Sequence, residues 1–141
     1  MIVDASVAFK WFVPDEAHAA EAGALLRSED LLLAPDILVA EVCNIAWRSA
    51  RMGRIEPEQA IRIATALPGL FASLIGSGVL ARRAVEIARE LDHPVYDCLY
   101  LSLAEARQTT LVTADGRFLA KLSGTAWEAN ALSLVRYVTQ S

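Results

Sequence analysis

Four acidic residues stand apart from the surface charge of this sequence because each lies within or directly after an apolar segment. They are Asp4, Glu41, Asp97 and Asp115, and no lysine or arginine is adjacent to any of them. Carboxylates that share one pocket repel each other unless a positive charge joins them. Oxygen ligands without histidine or cysteine suit Mg²⁺ or Mn²⁺. If the four side chains converge, they therefore predict a divalent-metal site, which typically serves phosphate chemistry.

Asp97 carries the strongest of these signals because its helix is apolar almost all round. The segment VYDCLYLSLAEAR is typical of a central, buried helix, and Asp97 lies in its first turn, where the helix dipole favours an anion. Neither Tyr100 nor Leu101, at the next turn, offers a charge to pair with it. A carboxylate buried without a partner costs several kcal/mol. We therefore expect Asp97 to face a polar cleft or to meet a cation from elsewhere in the chain or from solution.

The two acids that follow strands each have a competing structural explanation. Asp4 directly follows the apolar run Met1–Val3 and could cap the helix that starts near Ser6. Ser6 could cap this helix equally well, which would leave Asp4 free for other work. Asp115 precedes a glycine, and Asp-Gly is a common turn pair. Thr113, two residues earlier, can place a hydroxyl at the same strand end.

Glu41 lies on a predicted helix over residues 37–52. Apolar residues cover most of this helix, and a narrow polar stripe opposite them consists of Glu41, Asn44, Arg48 and Arg51. From this helix alone, the favoured interpretation is a solvated face with a Glu–Arg pair worth a few tenths of a kcal/mol. Asn44 is the unusual member, because asparagine is a poor residue within a helix unless it has a task.

Short strand patterns alternate with helical patterns along the sequence. The predicted strands are Met1–Val3, Leu31–Leu33, Leu70–Ile75, Thr110–Val112 and Leu132–Tyr137, and the predicted helices cover residues 17–29, 37–52, 57–66, 79–91, 95–107 and 115–122. This alternation predicts a parallel α/β sheet with its first strand central and helices on both faces. In such sheets, sites form outside the carboxyl ends of the strands. The four acids can therefore converge at that edge.

Composition limits the class of protein. A chain of 141 residues predicts one domain over residues 1–141, with enough buried surface for a real core. Its net charge of −4 is not the basic footprint of a duplex-binding protein. The hydrophobic fraction of 55% and the mean hydropathy of +0.35 are high. They favour apolar surface buried at a homodimer interface or in a partner groove.

Other features predict a cytoplasmic protein without a membrane span. Cys43 and Cys98 lie far apart and lack the spacing of a zinc site, so we expect two reduced thiols. Residues 1–4 already have the pattern of a strand and an acid, so we expect no signal peptide. The charge-free stretch Ile63–Ala81 approaches the length of a membrane span. Pro68 and several glycines interrupt it, which favours a helix end, a short buried strand and a turn.

Four segments make the sequence resemble a PIN-domain ribonuclease of the VapC type, which is found in toxin–antitoxin pairs. The segments are VDASVAFKWF, PDILVAEVCNIAWR, HPVYDCLYLSLAE and LVTADGRF, and they carry Asp4, Glu41, Asp97 and Asp115 in turn. Each segment alone is a weak signal. Their order, over nearly the whole chain, makes the resemblance specific.

The resemblance implies a fold, an activity and partners. The implied fold has three α/β/α layers around a five-stranded, mainly parallel sheet. The implied activity is endonucleolytic cleavage of RNA with Mg²⁺ or Mn²⁺ as cofactor. The implied partners are a second copy of the chain, forming a homodimer, and a cognate antitoxin whose tail reaches the active-site groove.

The resemblance also implies roles for individual residues. Asp4 and Asp97 would be the main metal ligands, and Glu41 and Asp115 would complete the acidic quartet directly or through water. Ser6, Asn44 and Thr113 would orient ligands and waters. Separately, Arg48 is among the arginines that we consider candidates for contact with a phosphate.

Two other functions stay open at the level of the sequence. A PIN fold could bind an antitoxin or RNA without catalysis, although the intact acidic quartet weighs against this. A phosphatase with an aspartyl nucleophile after the first strand commonly needs a second acid two residues later, where this sequence has Ser6. His18 and His93 are interpreted as surface or turn residues.

Overall fold

The computed structural model describes residues 1–140, and its central feature is a parallel sheet of five strands. The strands are β1 (Ile2–Val3), β2 (Leu33–Pro35), β3 (Ser73–Ile75), β4 (Leu111–Thr113) and β5 (Ala131–Ser133). Their order across the sheet is β3-β2-β1-β4-β5, and each neighbouring pair is parallel. The first strand is therefore central, as the alternation of strands and helices predicted.

Eight α-helices within residues 1–140 surround the sheet. They are α1 (Ala5–Ala8), α2 (Ala19–Leu26), α3 (Ile37–Arg51), α4 (Pro57–Ala66), α5 (Ser77–Leu91), α6 (Val95–Ala106), α7 (Gly116–Leu122) and α8 (Leu134–Gln140). Short 3₁₀ turns occur at Phe9–Trp11, Leu67–Leu70 and Glu128–Asn130. This architecture confirms the expected three-layer α/β/α fold.

Helix α6 forms the centre of the core. Its residues from Cys98 to Ala104 are all buried, and the helix packs on β1, β2, β4 and α5. Full burial of a side chain such as Leu101 stabilises the fold by roughly 1.5–3 kcal/mol. The first turn of α6 differs, because Asp97 is partly exposed and Tyr96 is 59% exposed. The helix is therefore buried as predicted except at the turn that carries the acid and at its exposed last residues, Glu105 and Ala106.

The last strand is shorter than predicted. We expected a strand over Leu132–Tyr137, but β5 ends at Ser133 and α8 begins at Leu134. The hydroxyl oxygen of Ser133 accepts a hydrogen bond from the backbone N–H of Arg136 at 3.2 Å, which satisfies a donor in the first helical turn. The predicted strand was wrong beyond Ser133 because this serine starts a helix inside an apolar run.

The remaining predicted boundaries differ by a few residues. Strand β2 is Leu33–Pro35 instead of Leu31–Leu33, β3 is Ser73–Ile75 instead of Leu70–Ile75, and β4 is Leu111–Thr113 instead of Thr110–Val112. Helix α2 covers less than residues 17–29, and α5 starts before residue 79. Strand β3 is short because the 3₁₀ turn that contains Pro68 occupies the segment before it. These shifts leave the order and the type of these five elements unchanged.

The strand register brings the carboxyl ends of the inner strands to one edge of the sheet. Ile2 pairs with Leu33 of β2 and with Leu111 of β4. Asp4 and Asp115, which follow β1 and β4, therefore lie at the same edge, as we expected from their positions.

The charge-free stretch Ile63–Ala81 is divided among α4, a 3₁₀ turn, β3 and α5. Within residues 1–140, no helix combines the length and the apolar character that crossing a membrane requires. The division agrees with the predicted helix end, short strand and turn.

Candidate active site

Asp4 is a buried carboxylate at the carboxyl end of the central strand. It caps α1, since its Oδ1 accepts hydrogen bonds from the backbone N–H of Val7 at 3.2 Å and from the Ser6 hydroxyl at 2.6 Å. The alternative that Ser6 caps this helix and leaves Asp4 free is wrong, because Ser6 instead donates to the carboxylate that forms the cap.

The charge of Asp4 is unfavourable where the fold places it. Burial raises the pKa of Asp4 from 3.8 to about 6, and the negative charge of Asp97 adds to this rise. The hydroxyls of Ser6 and Thr113 and the backbone N–H of Val7 offset part of it. Within residues 1–140, Asp4 forms no ion pair with a basic side chain. Its electrostatics are those of an anion that lacks a counter-charge.

Hydroxyl groups connect the ends of β1 and β4. The Ser6 hydroxyl oxygen accepts a hydrogen bond from the backbone N–H of Ala114 at 2.9 Å and lies 3.4 Å from the Thr113 hydroxyl. The Thr113 hydroxyl oxygen in turn accepts a hydrogen bond from the backbone N–H of Asp115 at 3.0 Å. The structure therefore places the hydroxyls of Ser6 and Thr113 beside Asp4 and the backbone of Asp115.

Glu41 on α3 receives a hydrogen bond from α6. The hydroxyl of Tyr100 donates to Oε1 of Glu41 at 2.7 Å. Burial raises the pKa of Glu41, the charge of Asp97 raises it further, and the hydrogen bond from Tyr100 lowers it. Burial and the charge of Glu41 raise the pKa of the Tyr100 phenol well above its usual value, so the phenol stays protonated and donates.

Tyr100 was missed as a site residue in the sequence. The available signal was a tyrosine one helical turn after Asp97 in a segment predicted to be buried. Because a buried tyrosine hydroxyl usually needs a hydrogen-bond partner, the sequence could have predicted that one exists. It could not have identified Glu41 as that partner, since the two residues are far apart in the chain and meet only in the fold.

Asp97 has a partner that we did not predict. His93 Nε2 lies 2.6 Å from Oδ2 of Asp97, and the His93 ring packs against Phe118 at 5.0 Å between centroids. The residues at i+3 and i+4 on the helix offer no charge, and the partner comes instead from the turn that precedes α6. His93 lies in the turn between α5 and α6, which agrees with the prediction of a surface or turn residue, but its side chain is only 19% exposed, against 37% for that of Asp97.

Asp115 has a structural role that its sequence context allowed. It is exposed, and its Oδ1 accepts hydrogen bonds from the backbone N–H groups of Arg117 and Phe118, both at 3.0 Å. These bonds cap α7. Its backbone is connected to Asp4 through the hydroxyls of Thr113 and Ser6. The structure therefore brings Asp115 to the same edge of the sheet, where its carboxylate is exposed and forms the cap.

The other predicted residues of α3 lie at the surface. Asn44 and Arg48 are exposed, and within residues 1–140 neither side chain makes a hydrogen bond or an ion pair. The guanidinium of Arg51 lies over the ring of Trp47 at 5.6 Å, and the Trp47 side chain is 55% exposed. These residues form a polar and aromatic surface on the helix that carries Glu41.

A divalent ion fits the donors of this site in part. The donors are carboxylate and hydroxyl oxygens, which suit Mg²⁺ or Mn²⁺, and Asp4 lacks a counter-charge. Within residues 1–140, no three acidic, histidine or cysteine side chains lie close enough together to hold one ion jointly. The site therefore fits an ion held by one or two carboxylates and by waters, which is the usual habit of Mg²⁺.

Comparison with known proteins relates most of the chain to one family. The sequence profile of the PIN domain matches residues 1–122. Ribonuclease VapC1 of Mycobacterium tuberculosis is 33% identical over 121 residues, which cover 84% of this chain and 88% of the relative. Ribonuclease VapC3 of Pyrobaculum aerophilum is 28% identical over 123 residues, which cover 86% of this chain and 93% of the relative.

Solved structures share the fold as well. A crystal structure of a protein from Pyrobaculum aerophilum has a TM-score of 0.73 at 24% identity and covers 99% of this chain and 86% of that chain. A chain in a toxin–antitoxin complex from Klebsiella pneumoniae has a TM-score of 0.63 at 15% identity and covers 94% of this chain and 96% of that chain. At these identities the likeness supports the fold alone.

Proposed function

The chain belongs to the PIN domain family, and from this membership we propose that it is a metal-dependent endoribonuclease that acts as the toxin of a toxin–antitoxin pair. Nuclease activity is supported by the names of two relatives, Ribonuclease VapC1 and Ribonuclease VapC3. The observation on this chain that carries the proposal is the buried carboxylate of Asp4, whose pKa is raised to about 6 beside the charge of Asp97. Such a group suits a cation as its partner.

Asp4 and Asp97 are the proposed direct ligands of a Mg²⁺ or Mn²⁺ ion. The charge of Asp97 raises the pKa of both Asp4 and Glu41, so each of these two carboxylates lies within electrostatic reach of Asp97. Glu41 and Asp115 are proposed to act directly or through water, since Mg²⁺ commonly keeps several waters. When bound, the ion would activate water and neutralise charge on the scissile phosphate.

Other residues of the chain hold this arrangement and contact the substrate. Ser6 and Thr113 fix the ends of β1 and β4 through the hydroxyl contacts described above, which keeps Asp4 oriented. Arg48 is exposed on the helix that carries Glu41, where its guanidinium is proposed to bind the RNA backbone. Asn44, also exposed on α3, is proposed to orient waters or substrate.

The activity is tested with the full chain and total cellular RNA. We expect discrete cuts in the presence of Mn²⁺, none with a chelator, and none with Asp97→Asn. Mapping the 5′ ends of cellular RNA after brief expression would identify the target. The absence of cuts in both experiments would contradict the proposed activity.

The alternative is a PIN-fold module that binds an antitoxin or RNA without catalysis. The pKa of Glu41 is raised in the same direction as that of Asp4, which is an energetic cost without benefit for a module that binds no cation. Retention of RNA by the wild-type chain without any cut would favour the module.

A cognate antitoxin is the proposed protein partner, and a chain of the same fold occurs in the toxin–antitoxin complex from Klebsiella pneumoniae. We expect a basic side chain of the antitoxin, an arginine, to enter the cleft and meet the carboxylates in place of the metal. Arginine suits this role because its planar fork can bind two carboxylate oxygens at once. Competition between Mn²⁺ and a peptide from the antitoxin tail would support this picture, and simultaneous binding would contradict it.

Homodimer formation, a single domain over residues 1–141 and a cytoplasmic location complete the proposal. Cys98 is buried and Cys43 is partly buried, and both are free thiols, which suits a reducing compartment. One continuous group of buried apolar residues extends from Ile2 to Leu134, which supports a single domain.

A further inference from the structure

Tyr100 lies in the buried part of α6 but directs its single polar atom at the candidate site. The side chain is 2% exposed, and its hydroxyl donates to Oε1 of Glu41 at 2.7 Å. Within residues 1–140, this is the only side-chain hydrogen bond that either residue makes. A phenylalanine would fill the same space in the core, so packing alone does not account for the hydroxyl.

The hydrogen bond links the two helices that carry acids of the site. Tyr100 follows Asp97 by three residues on α6, which places the two side chains on neighbouring positions of one helix surface. Glu41 belongs to α3, on the other side of the contact. Helix α6 therefore carries Asp97 and, through Tyr100, also holds Glu41. With Oε1 of Glu41 engaged by the phenol, Oε2 accepts no hydrogen bond within residues 1–140.

We propose that Tyr100 is a positioning residue of the metal site, whose hydroxyl fixes the Glu41 carboxylate so that its second oxygen serves a bound ion or a water on that ion. The inference rests on the proposed function, because there Glu41 acts on the ion directly or through water. Hydrogen-bond partners of metal ligands commonly orient them and strengthen binding in this way. Tyr100 acts through Glu41 and contacts neither the ion nor the RNA.

The matched pair of variants is Tyr100→Phe and Tyr96→Phe in the full chain. Both remove one hydroxyl from α6, but Tyr96 is 59% exposed and its hydroxyl makes no hydrogen bond within residues 1–140. The Mn²⁺ dissociation constant is measured from the electron paramagnetic resonance signal of free Mn²⁺. Removing such a partner typically weakens metal binding by about 10- to 100-fold. We expect that loss in Tyr100→Phe and no change in Tyr96→Phe.

A double variant separates positioning from a structural role. If Tyr100 acts through Glu41, adding Tyr100→Phe to Glu41→Gln weakens Mn²⁺ binding no further than Glu41→Gln alone. If Tyr100 is only a core residue, Tyr100→Phe lowers the unfolding temperature in chelator and leaves the Mn²⁺ dissociation constant unchanged. An unchanged constant, or losses that add in the double variant, would overturn the inference.

Measurements on the wild-type chain separate this inference from the proposed function. Mn²⁺ binding and RNA cleavage by the wild type, together with an unchanged dissociation constant in Tyr100→Phe, would overturn the role of Tyr100 and leave the nuclease intact. A wild-type chain that neither binds Mn²⁺ nor cleaves RNA would overturn both.

Discussion

At the scale of single residues, Asp4 is a helix cap that is also buried. Its carboxylate caps α1, and burial raises its pKa. Asp36 provides the contrast, because it directly follows β2 as Asp4 follows β1. Asp36 is exposed, accepts hydrogen bonds from the backbone and hydroxyl of Ser77, and has a lowered pKa because of that hydroxyl. Asp36 shows that an acid at a strand end can connect two elements while it is exposed. Asp4, which is buried, is therefore the acid of the two that suits a cation.

The raised pKa of Asp4 predicts how the stability of the metal-free chain depends on pH. The unfolded chain loses this proton near pH 3.8 and the folded chain near pH 6. Between these values the folded state binds more protons, so the free energy of unfolding falls as the pH rises. Above the folded pKa, the cost is on the order of 3 kcal/mol. Urea unfolding in chelator from pH 4 to 7 should show this decline.

Asp4→Asn should remove most of this decline and raise the stability of the metal-free chain at neutral pH. Asparagine is an equally good helix cap, so the bonds from Val7 and Ser6 can persist. Asp36→Asn is the control. Because the pKa of Asp36 is lowered in the folded chain, its carboxylate contributes stability that is lost as the pH falls, which is the opposite pH dependence to that of Asp4. Equal pH profiles for Asp4→Asn and the wild type would contradict the burial argument.

Asp97→Asn should abolish RNA cleavage and leave the fold intact. The variant keeps the shape of the side chain and can still accept a hydrogen bond from His93, but it no longer repels Asp4 and Glu41. We therefore expect the metal-free variant to be at least as stable as the wild type, and the stabilisation by Mn²⁺ to vanish. Thermal unfolding with and without Mn²⁺, beside a cleavage assay, measures both effects.

Asp92→Asn is the control for that charge change, because Asp92 is exposed and ends α5 in a left-handed conformation (φ 49°) that asparagine tolerates. It should cleave RNA and respond to Mn²⁺ like the wild type. Full cleavage by Asp97→Asn would exclude Asp97 from the site.

The sequence predicted which acids are unusual but not what they touch. Asp4 and Asp97 were recognisable because apolar segments surround them, which is local information. The partners of the acids come from chain segments that meet only in the fold. Glu41 on α3, for example, meets Tyr100 on α6. The contact between His93 and Asp97 is the exception, since it lies within four residues and was open to prediction.

At the scale of elements, the short helix α7 depends on the cap that Asp115 forms. This helix has seven residues, and the Asp115 carboxylate accepts from two of its first N–H groups. A helix so short depends strongly on its end groups and its packing. The structural role alone would account for an aspartate at this position.

Asp115→Asn and Asp115→Ala separate the two roles. Asparagine retains the cap, whereas alanine removes it at a cost of about 1 kcal/mol. Because the proposed site needs a charged carboxylate, both variants should lose RNA cleavage, and only Asp115→Ala should lose stability. Unfolding and cleavage are measured on both variants. Wild-type cleavage by Asp115→Asn would reduce Asp115 to a structural residue.

The elements themselves were predictable where hydrophobic periodicity was long. Helices α3 and α6 have nearly the predicted bounds because each repeats its apolar pattern over several turns. Strand β5 was misjudged because a short apolar run does not distinguish a strand from a buried helix. There, the cap at Ser133 decided the conformation.

At the scale of the whole molecule, large apolar side chains are exposed on two helix pairs. Trp47, Met52 and Ile61 lie on α3 and α4 or at their ends, and Val79, Val85 and Tyr96 lie on α5 and α6. A two-fold interface brings a surface against its own copy, so its charges must complement themselves. Besides Glu41, the charged residues of α3 are the arginines Arg48 and Arg51, which would repel a second copy but suit RNA or an acidic partner.

Helix α5 carries charges of both signs and is the surface that we expect in the homodimer. Its Arg82 pairs with Glu86 at 3.4 Å, and such pairs can exchange partners across a two-fold axis. A stable dimer of this kind buries about 1,200–2,000 Å² in total, so a charge at its centre is strongly unfavourable. Val79 is 82% exposed, which means that Val79→Lys alters the surface without disturbing the core.

Light scattering at micromolar concentration, without antitoxin, should therefore give a dimer for the wild type and a monomer for Val79→Lys. Ile61→Lys, at a side chain that is 68% exposed on α4, is the matched control and should remain a dimer.

Because the dimer stabilises the folded state by mass action, the unfolding temperature of the wild type should rise with protein concentration and that of Val79→Lys should not. A monomeric wild type would contradict the dimer itself. Dissociation by Ile61→Lys, with Val79→Lys still dimeric, would instead assign the interface to α4 and place the arginine-bearing helix α3 close to the two-fold axis.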